Sequence, residues 1–572
     1  MGPISQESDM RRVLIGFLAL AVISIPAFSQ TPANEHNCPA TTAIPPYVGS
    51  GTRAFSPNQN LCLPQLAPTP TGLSPEGFVV SGSEPGDRVD SQGSIYVVSI
   101  RGVPGGIDLW RWYAPDDGSV NKNKTIPFRY EGQPDNCGIF SFENGGCANN
   151  TGSATNLGLA PGGGDADIAL NAPNPATNVP NLAATSLSVA PGVTATNSSN
   201  RGNSFFTPPN VVSPLIPADD RQWQDAIGAS TVYLSYHDAA TFNIDVQRSN
   251  DGGLTYGNGL GQAIDAATMP AVTTGVGSAN TAGQIHLDLS QCASRGNLYE
   301  VFVGPDNATE NVTSAPQRTA YIGVSTDAKL GGPTFTLTDH KIYTSPAGSL
   351  GATNGLDNIF PAMAVDKLGY LYAVWSDNSN IFFSSSNDLG VTWRSTPIRV
   401  NQSSTIGKAN VFPWIAADAN GHVVISWIGG NLAGNSNDAT VMEQSCSDGT
   451  VSCWAQWNVY AAESVNANAA NASFAQYTAS DHVIHYGTVS TGGLGGSANR
   501  NLGDFFQLAL DNQHRANISF ADDHLASPLC TTQSPGHCAN NDPAAFRAAT
   551  PFFTYQLKAN PQIVTSGKCA GS

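Results

Sequence analysis

Two octapeptides, Ser249-Asn-Asp251-Gly-Gly253-Leu-Thr255-Tyr256 and Ser386-Asn-Asp388-Leu-Gly390-Val-Thr392-Trp393, share the pattern Ser-x-Asp-x-Gly-x-Thr-aromatic. A degenerate copy is Ser198-Ser-Asn200-Arg-Gly202-Asn-Ser204-Phe205, and Ser325-Thr-Asp327 to Thr334-Phe335 reads as another copy interrupted by an insertion. The residue types suit a turn: Ser, Asp and Thr side chains satisfy turn amides, Gly permits the bend, and the aromatic packs against a neighbouring unit. The step from Ser198 to Ser249 is the length of one four-stranded unit, which needs roughly 40 to 50 residues.

A second repeat joins two apolar strands through Asp, two residues and usually Gly. It occurs as Asp90-Ser-Gln-Gly93, Asp366-Lys-Leu-Gly369 and Asp418-Ala-Asn-Gly421, and as Asp511-Asn-Gln-His514 with His in place of Gly. Asp bonds the amides ahead of it, and Gly takes the left-handed conformation that lets the strand return. From Ser74 onward, short runs of Val, Ile, Tyr, Phe and Trp alternate with Gly, Asn, Asp and Pro, with no long amphipathic helix. The chain is therefore expected to be all-β.

The octapeptides resemble the Asp boxes, or BNR repeats, of the sialidase (neuraminidase) superfamily, where they form the turn between the outer two strands of a blade. That resemblance implies a β-propeller of six to eight four-stranded blades. Seven units are expected, near residues 75–128, 165–206, 219–257, 283–336, 358–400, 410–480 and 503–557, the first and last combining strands to close the ring.

The ends read differently. Arg11 and Arg12 precede an apolar stretch from Val13 to Ile25, then Ala27-Phe28-Ser29, so residues 1–29 are expected to be a signal peptide. Residues 30–73 read as a Pro-rich arm, 74–558 as the propeller and 559–572 as a C-terminal tail. No later segment is apolar for the ~20 residues of a membrane span, so a secreted protein, extracellular or periplasmic, is expected. The excess of 43 acidic over 25 basic residues argues against nucleic acid as a partner. Ten cysteines in an oxidising compartment suggest disulfides, locally Cys137–Cys147, Cys446–Cys453 and Cys530–Cys538. Cys38–Cys62 is a further pairing, and Cys292–Cys569 follows by elimination.

In a propeller, residues that start the innermost strands converge on one mouth of the axial funnel. Arg88, Arg221 and Arg500 are placed there to grip a carboxylate, with Asp165 or Asp220 as proton donor and Trp223 exposed to stack on a sugar. This is similar to a sialidase, in which three arginines bind the sugar carboxylate and a Tyr nucleophile works with a Glu beside an Asp acid/base. The competing reading is that these charges only close the ring between blades. The run Gly162-Gly163-Gly164-Asp165-Ala166-Asp167 is either a calcium site through Asp165 and Asp167 or a strand start with a turn-capping Asp. No cofactor is required. The expected function is a secreted, sialidase-like propeller presenting a polar funnel to an extracellular glycan or glycoconjugate, with exo-glycosidase activity implied. The alternative is a non-catalytic binding or scaffold propeller for protein or carbohydrate partners.

Overall fold

The computed structural model describes residues 54–61, 82–100, 106–112, 129–132, 134–135, 163–187, 192–206, 210–212, 220–238, 241–265, 280–307, 310, 317–346, 355–356, 358–403, 407–492, 497–527 and 530–572. They form seven antiparallel sheets in sequence order. Blade 1 comprises Ser83–Val89, Ile95–Ile100, Ile107–Trp112 and Arg129–Gly132, and blade 2 Ala166–Leu170, Leu182–Leu187, Val193–Ser198 and Asn210–Val211. Blade 3 comprises Asp220–Ile227, Thr231–Asp238, Asn243–Ser249 and Leu260–Gln262; blade 4 Thr281–Leu287, Leu298–Gly304, Thr319–Ser325 and Thr338–Thr344. Blade 5 comprises Ala362–Val365, Leu371–Ser376, Ile381–Ser386 and Ile398–Arg399. Blade 6 comprises Ala409–Ala419, His422–Gly430, Gln456–Ser464 and Ala475–Thr478, with His485–Tyr486 added beside its third strand.

The first strand of each blade touches the first strand of the next, and that of the seventh touches that of the first. The sheets thus form a closed, seven-bladed β-propeller. Second strands such as Ile95–Ile100 and Leu371–Ser376 are buried almost throughout, because each is covered on both faces by adjacent blades. This explains why they read as continuous apolar runs rather than as alternating ones.

Blade 7 is built from both ends of the chain. Gln507–Leu510, Ala516–Asp522 and Thr550–Tyr555 supply three strands, and Gln59–Asn60 supplies the outermost, with Gln59 opposite Phe553 and Asn60 opposite Phe552. Ser56 and Thr554 hydrogen-bond through their hydroxyls at 3.1 Å. The segment read as a separate arm therefore contributes to the ring at residues 54–61. Pairing the two ends removes the open edge that a linear array of sheets would leave.

Each octapeptide lies between the third and fourth strands of its blade. Ser249 Oγ accepts the Gly253 amide at 2.9 Å and bonds Asp251 Oδ1 at 2.7 Å, while Asp251 accepts the Thr255 amide at 2.9 Å and its hydroxyl at 2.5 Å. Ser386, Asp388, Gly390 and Thr392 repeat this set in blade 5. Gly253 has φ 84°, and a Cβ there would stand 2.5 Å from the Ala183 Cβ of blade 2. Tyr256 packs into the apolar cluster between blades 2 and 3, and Trp393 against that between blades 4 and 5. Blade 6 makes a related turn, with Asn466 in the Asp position bonded to Ser464 Oγ and to the Ser473 amide.

Among the described residues two disulfides are present, Cys446–Cys453 and Cys292–Cys569, the latter spanning 277 residues. Residues 559–572 cross the turns of neighbouring blades: the Asn420 amide donates to Val564 O at 3.0 Å and the Ala570 amide to Leu368 O at 2.8 Å. Cys569 then pins this strap to blade 4. The bridge expected between Cys530 and Cys538 is not formed; both are thiols, Cys530 facing the His537 carbonyl at 3.0 Å. Cys38, Cys62, Cys137 and Cys147 lie outside the described residues, as does the expected signal peptide. Among the described residues no helix is long and apolar enough to cross a membrane.

Candidate functional site

The first strands of blades 1, 3 and 6 each carry a bulge close to where the strand begins. Within these bulges Glu84, Arg221 and Phe412 adopt left-handed conformations, with φ of 52°, 60° and 55°. A bulge inserts one residue out of the ladder and re-aims its side chain. A non-glycine residue held at positive φ costs roughly 1–3 kcal/mol, so its surroundings must over-determine it.

At the mouth those surroundings are ionic. Arg221 Nη1 lies 2.6 Å from Asp504 Oδ2, and Arg500 Nη2 lies 2.8 Å from the same oxygen. The Asp504 amide donates to Glu84 Oε1 at 2.9 Å, and the Asp165 carboxylate is close enough to raise the Glu84 carboxyl. Asp165 Oδ2 in turn accepts the Arg221 amide at 3.2 Å. Four blades, the first, second, third and seventh, thus meet through one network. Glu84 is 1% exposed. Burial first, then the neighbouring Asp165 and Asp504 carboxylates, hold its carboxyl well above the usual range against the pull of Arg221.

A second group lies further along the same strands. Arg88 Nη2 is 2.8 Å from Asp167 Oδ1 and the same guanidinium donates to Gln507 Oε1, while Asp167 Oδ2 accepts the Gln224 amide at 2.6 Å. Gly86 leaves room for this, since a Cβ there would stand 2.7 Å from Gln507 Oε1. Both Asp167 oxygens are engaged and the buried carboxylate faces a guanidinium. A cation would have to displace Arg88, so Asp165 and Asp167 do not fit the calcium reading.

The axis is filled rather than open. Trp223 of blade 3 packs against Phe360, Trp414 and Phe505, which precede or belong to the first strands of blades 5, 6 and 7, with centroids 5.7, 5.3 and 4.6 Å away. Trp223 is 1% exposed, so it is core and not a sugar platform. Arg221 spreads over Phe360 at 4.6 Å from its centroid. Of the three arginines expected to converge, Arg221 and Arg500 share Asp504, whereas Arg88 pairs separately with Asp167. Asp220 begins a blade 3 strand opposite His237, but its side chain lies outside the described residues. Glu84, Gln224 and Gln507 were not anticipated from the sequence. Tyr299 and Glu300 are buried on the second strand of blade 4 and take no part in the mouth.

No protein-family model matches the chain, and no curated protein matches it. Among solved structures, a Dyadobacter fermentans protein of unknown function aligns at TM-score 0.39 and 12% identity, over 68% of this chain and 94% of that one. The GH74 xyloglucanase of Xanthomonas campestris aligns at TM-score 0.37 and 14% identity, covering 78% and 52%. A Hadza microbial sialidase aligns at 0.34 and 14%, covering 61% and 64%.

The chemistry open to the mouth follows from its charge and spacing. Arg88 faces Asp167, and Arg221 and Arg500 face Asp504, so every guanidinium of the group already has a carboxylate partner and no surplus cation remains for an anionic ligand. Glycosidase carboxyl pairs stand about 5–5.5 Å or 6.5–9.5 Å apart to flank a sugar bond. Glu84 is 1% exposed and its neighbour Asp165 is engaged by the Arg221 amide, so these two carboxyls do not flank an open gap of that kind.

Proposed function

We propose that this chain is an exported binding propeller of the Asp-box kind, whose mouth at one end of the filled axis recognises neutral carbohydrate on a glycan or glycoconjugate without hydrolysing it. The observation that carries this is the sharing of Asp504 by Arg221 and Arg500, which leaves no unneutralised guanidinium cluster. Side chains of Arg221, Arg88 and Arg500 are 15, 19 and 29% exposed, so each presents part of its surface to solvent. Planar donors beside carboxylate acceptors, with each guanidinium already partnered, suit vicinal hydroxyl groups better than the carboxylate of a sialic acid. The two disulfides accord with an oxidising compartment.

One observation favours a second reading, an exo-glycosidase: burial and the neighbouring carboxylates raise the Glu84 carboxyl, the direction a proton donor needs. The test is a glycan array probed with the purified mature chain, together with a panel of fluorogenic glycosides. Retention of neutral glycans, weakened by Arg500→Ala, with no turnover on the panel, is the expected result. Retention confined to sialylated glycans would overturn the neutral-ligand reading. Turnover abolished by Glu84→Gln would replace binding with catalysis.

A further inference from the structure

The turns joining first to second strands follow one plan in blades 1, 5 and 7. Asp90 Oδ1 accepts the Gln92 and Ser94 amides, Asp366 Oδ1 those of Leu368 and Tyr370, and Asp511 Oδ1 those of Gln513 and Arg515. Three residues after each Asp the backbone is left-handed, at Gly93, Gly369 and His514, with φ of 90°, 81° and 63°. Glycine is at ease there and a histidine is not. Blade 7 therefore spends conformational strain to place an imidazole at a position that needs none for the turn.

Blade 6 breaks the plan in a complementary way. Its string Asp418-Ala-Asn-Gly421 matches the others, but Ala419 pairs directly with His422. Both Asp418 oxygens turn to imidazoles: Oδ1 lies 2.6 Å from His422 Nδ1, and Oδ2 lies 2.6 Å from His514 Nδ1 of blade 7. Blade 6 has given up the ordinary turn chemistry, blade 7 has kept it but carries His514 where blades 1 and 5 carry Gly, and the three side chains meet.

We propose that Asp418, His422 and His514 form a zinc-class divalent metal site that bridges blades 6 and 7. Their donor atoms all lie within 4.8 Å of one another. The two rings stand at 88°, so they approach a common point from different directions rather than stacking. His422 is fully buried, and its Nε2 faces Glu463 Oε1 at 3.2 Å, while Glu463 Oε2 accepts Gln556 Nε2 at 3.1 Å. A carboxylate on the far nitrogen fixes the tautomer that leaves Nδ1 free to ligate, which is how histidine ligands are held. The His514 side chain is 26% exposed, leaving the fourth tetrahedral position to water. Two imidazole nitrogens and one carboxylate oxygen suit zinc, whereas calcium and magnesium take oxygen donors. The ion would replace the protons now held between the imidazoles and Asp418, releasing them to solvent.

The test is calorimetric titration of the EDTA-treated mature chain with zinc chloride. His482, Asp522 and His524 also bring donor atoms within 4.8 Å of one another, so His524→Ala serves as the control. His514→Gly is the decisive variant, because it installs the residue this turn carries in blades 1 and 5 and so preserves the fold. Wild type and His524→Ala are expected to bind an equivalent of zinc that His514→Gly does not. Zinc should raise the melting temperature of wild type but leave that of His514→Gly unmoved if His524→Ala is also present. Glu463→Gln, which loosens a ligand without removing it, should weaken the affinity about 10–100-fold. Equal stoichiometry and affinity in wild type and His514→Gly, or no uptake by wild type in excess zinc, would overturn the proposal.

Discussion

Arg221 and Asp504 are 283 residues apart in sequence and 2.6 Å apart in space. The pair joins the third blade to the seventh across the mouth, and Arg500 completes it from the loop before the seventh. Asp504 is 1% exposed, so the carboxylate has been withdrawn from water and depends on both guanidinium groups. Asp504→Ala should therefore destabilise the protein by about 3 kcal/mol, since breaking a buried pair strands the partner charge. Urea denaturation measures this, and a loss within experimental error would mean that solvent already screens the pair.

Glu84 gives the fold a pH dependence whose sign can be worked out. Its carboxyl is raised by burial, then by Asp165 and Asp504, so above pH 4.5 the unfolded chain gives up a proton that the folded chain keeps. Folded protein then binds more protons, and stability falls as pH rises towards the raised value. Glu84→Gln should remove this decline. Its melting temperature should match wild type near pH 4 and exceed it at pH 7; parallel curves would contradict the assignment.

Asp388 tests the turn chemistry apart from the mouth. Its carboxylate accepts the Thr392 amide at 2.8 Å and the Thr392 hydroxyl at 2.5 Å, and bonds the Ser386 hydroxyl at 2.8 Å. Burial would raise its pKa, but these bonds prevail and lower it. The stabilisation is present above the ordinary value of 3.8 and is lost as pH falls through the lowered one. Asp388→Ala should cost about 1–2 kcal/mol at neutral pH, and Val391→Ala, at an exposed position of the same turn, should cost little. Chemical denaturation of the two variants separates the cases.

The Cys292–Cys569 bridge should matter more for the strap than for the ring. With Cys569→Ser the terminal segment keeps only non-covalent contacts, such as Gly571 N–H to Asn387 O at 2.7 Å and Asn420 Nδ2 to Ser566 O at 2.9 Å. Limited trypsin digestion should then cut after Lys558 or Lys568 under conditions that spare wild type. Equal rates in both proteins would show that the strap is held without the disulfide.

The blades were legible because each is local: a capped turn, a pair of apolar runs and a glycine recur at intervals that sequence displays directly. The mouth was legible only in part. Arg221 lies in the first strand of blade 3 and Arg500 in the loop before the first strand of blade 7, which is why sequence position suggested that they lie on one face. Nothing in their neighbourhoods announces Asp504 as a common partner across the ring. Trp223 was misread because the bulge between Asp220 and Trp223 breaks the alternation by which an exposed face would be inferred. Glu84 was missed for a similar reason, since Glu84-Pro85-Gly86 reads as a turn although it is a bulged strand. Asp418 and His514 were seen as turn residues, and their meeting depends on which blades become neighbours.

The composite seventh blade also constrains how the chain reaches its final form. Residues 59–60 emerge early in synthesis but find their partners only when residues 552–553 have been made. Until then the N-terminal strand has nowhere to dock, and the growing stack exposes a raw edge at each end. A premature stop anywhere before Thr550 would therefore yield no smaller ring, because the same missing strand deprives both the beginning and the end of the molecule. Synthesis of Thr550–Tyr555 is the event that converts a row of sheets into a propeller.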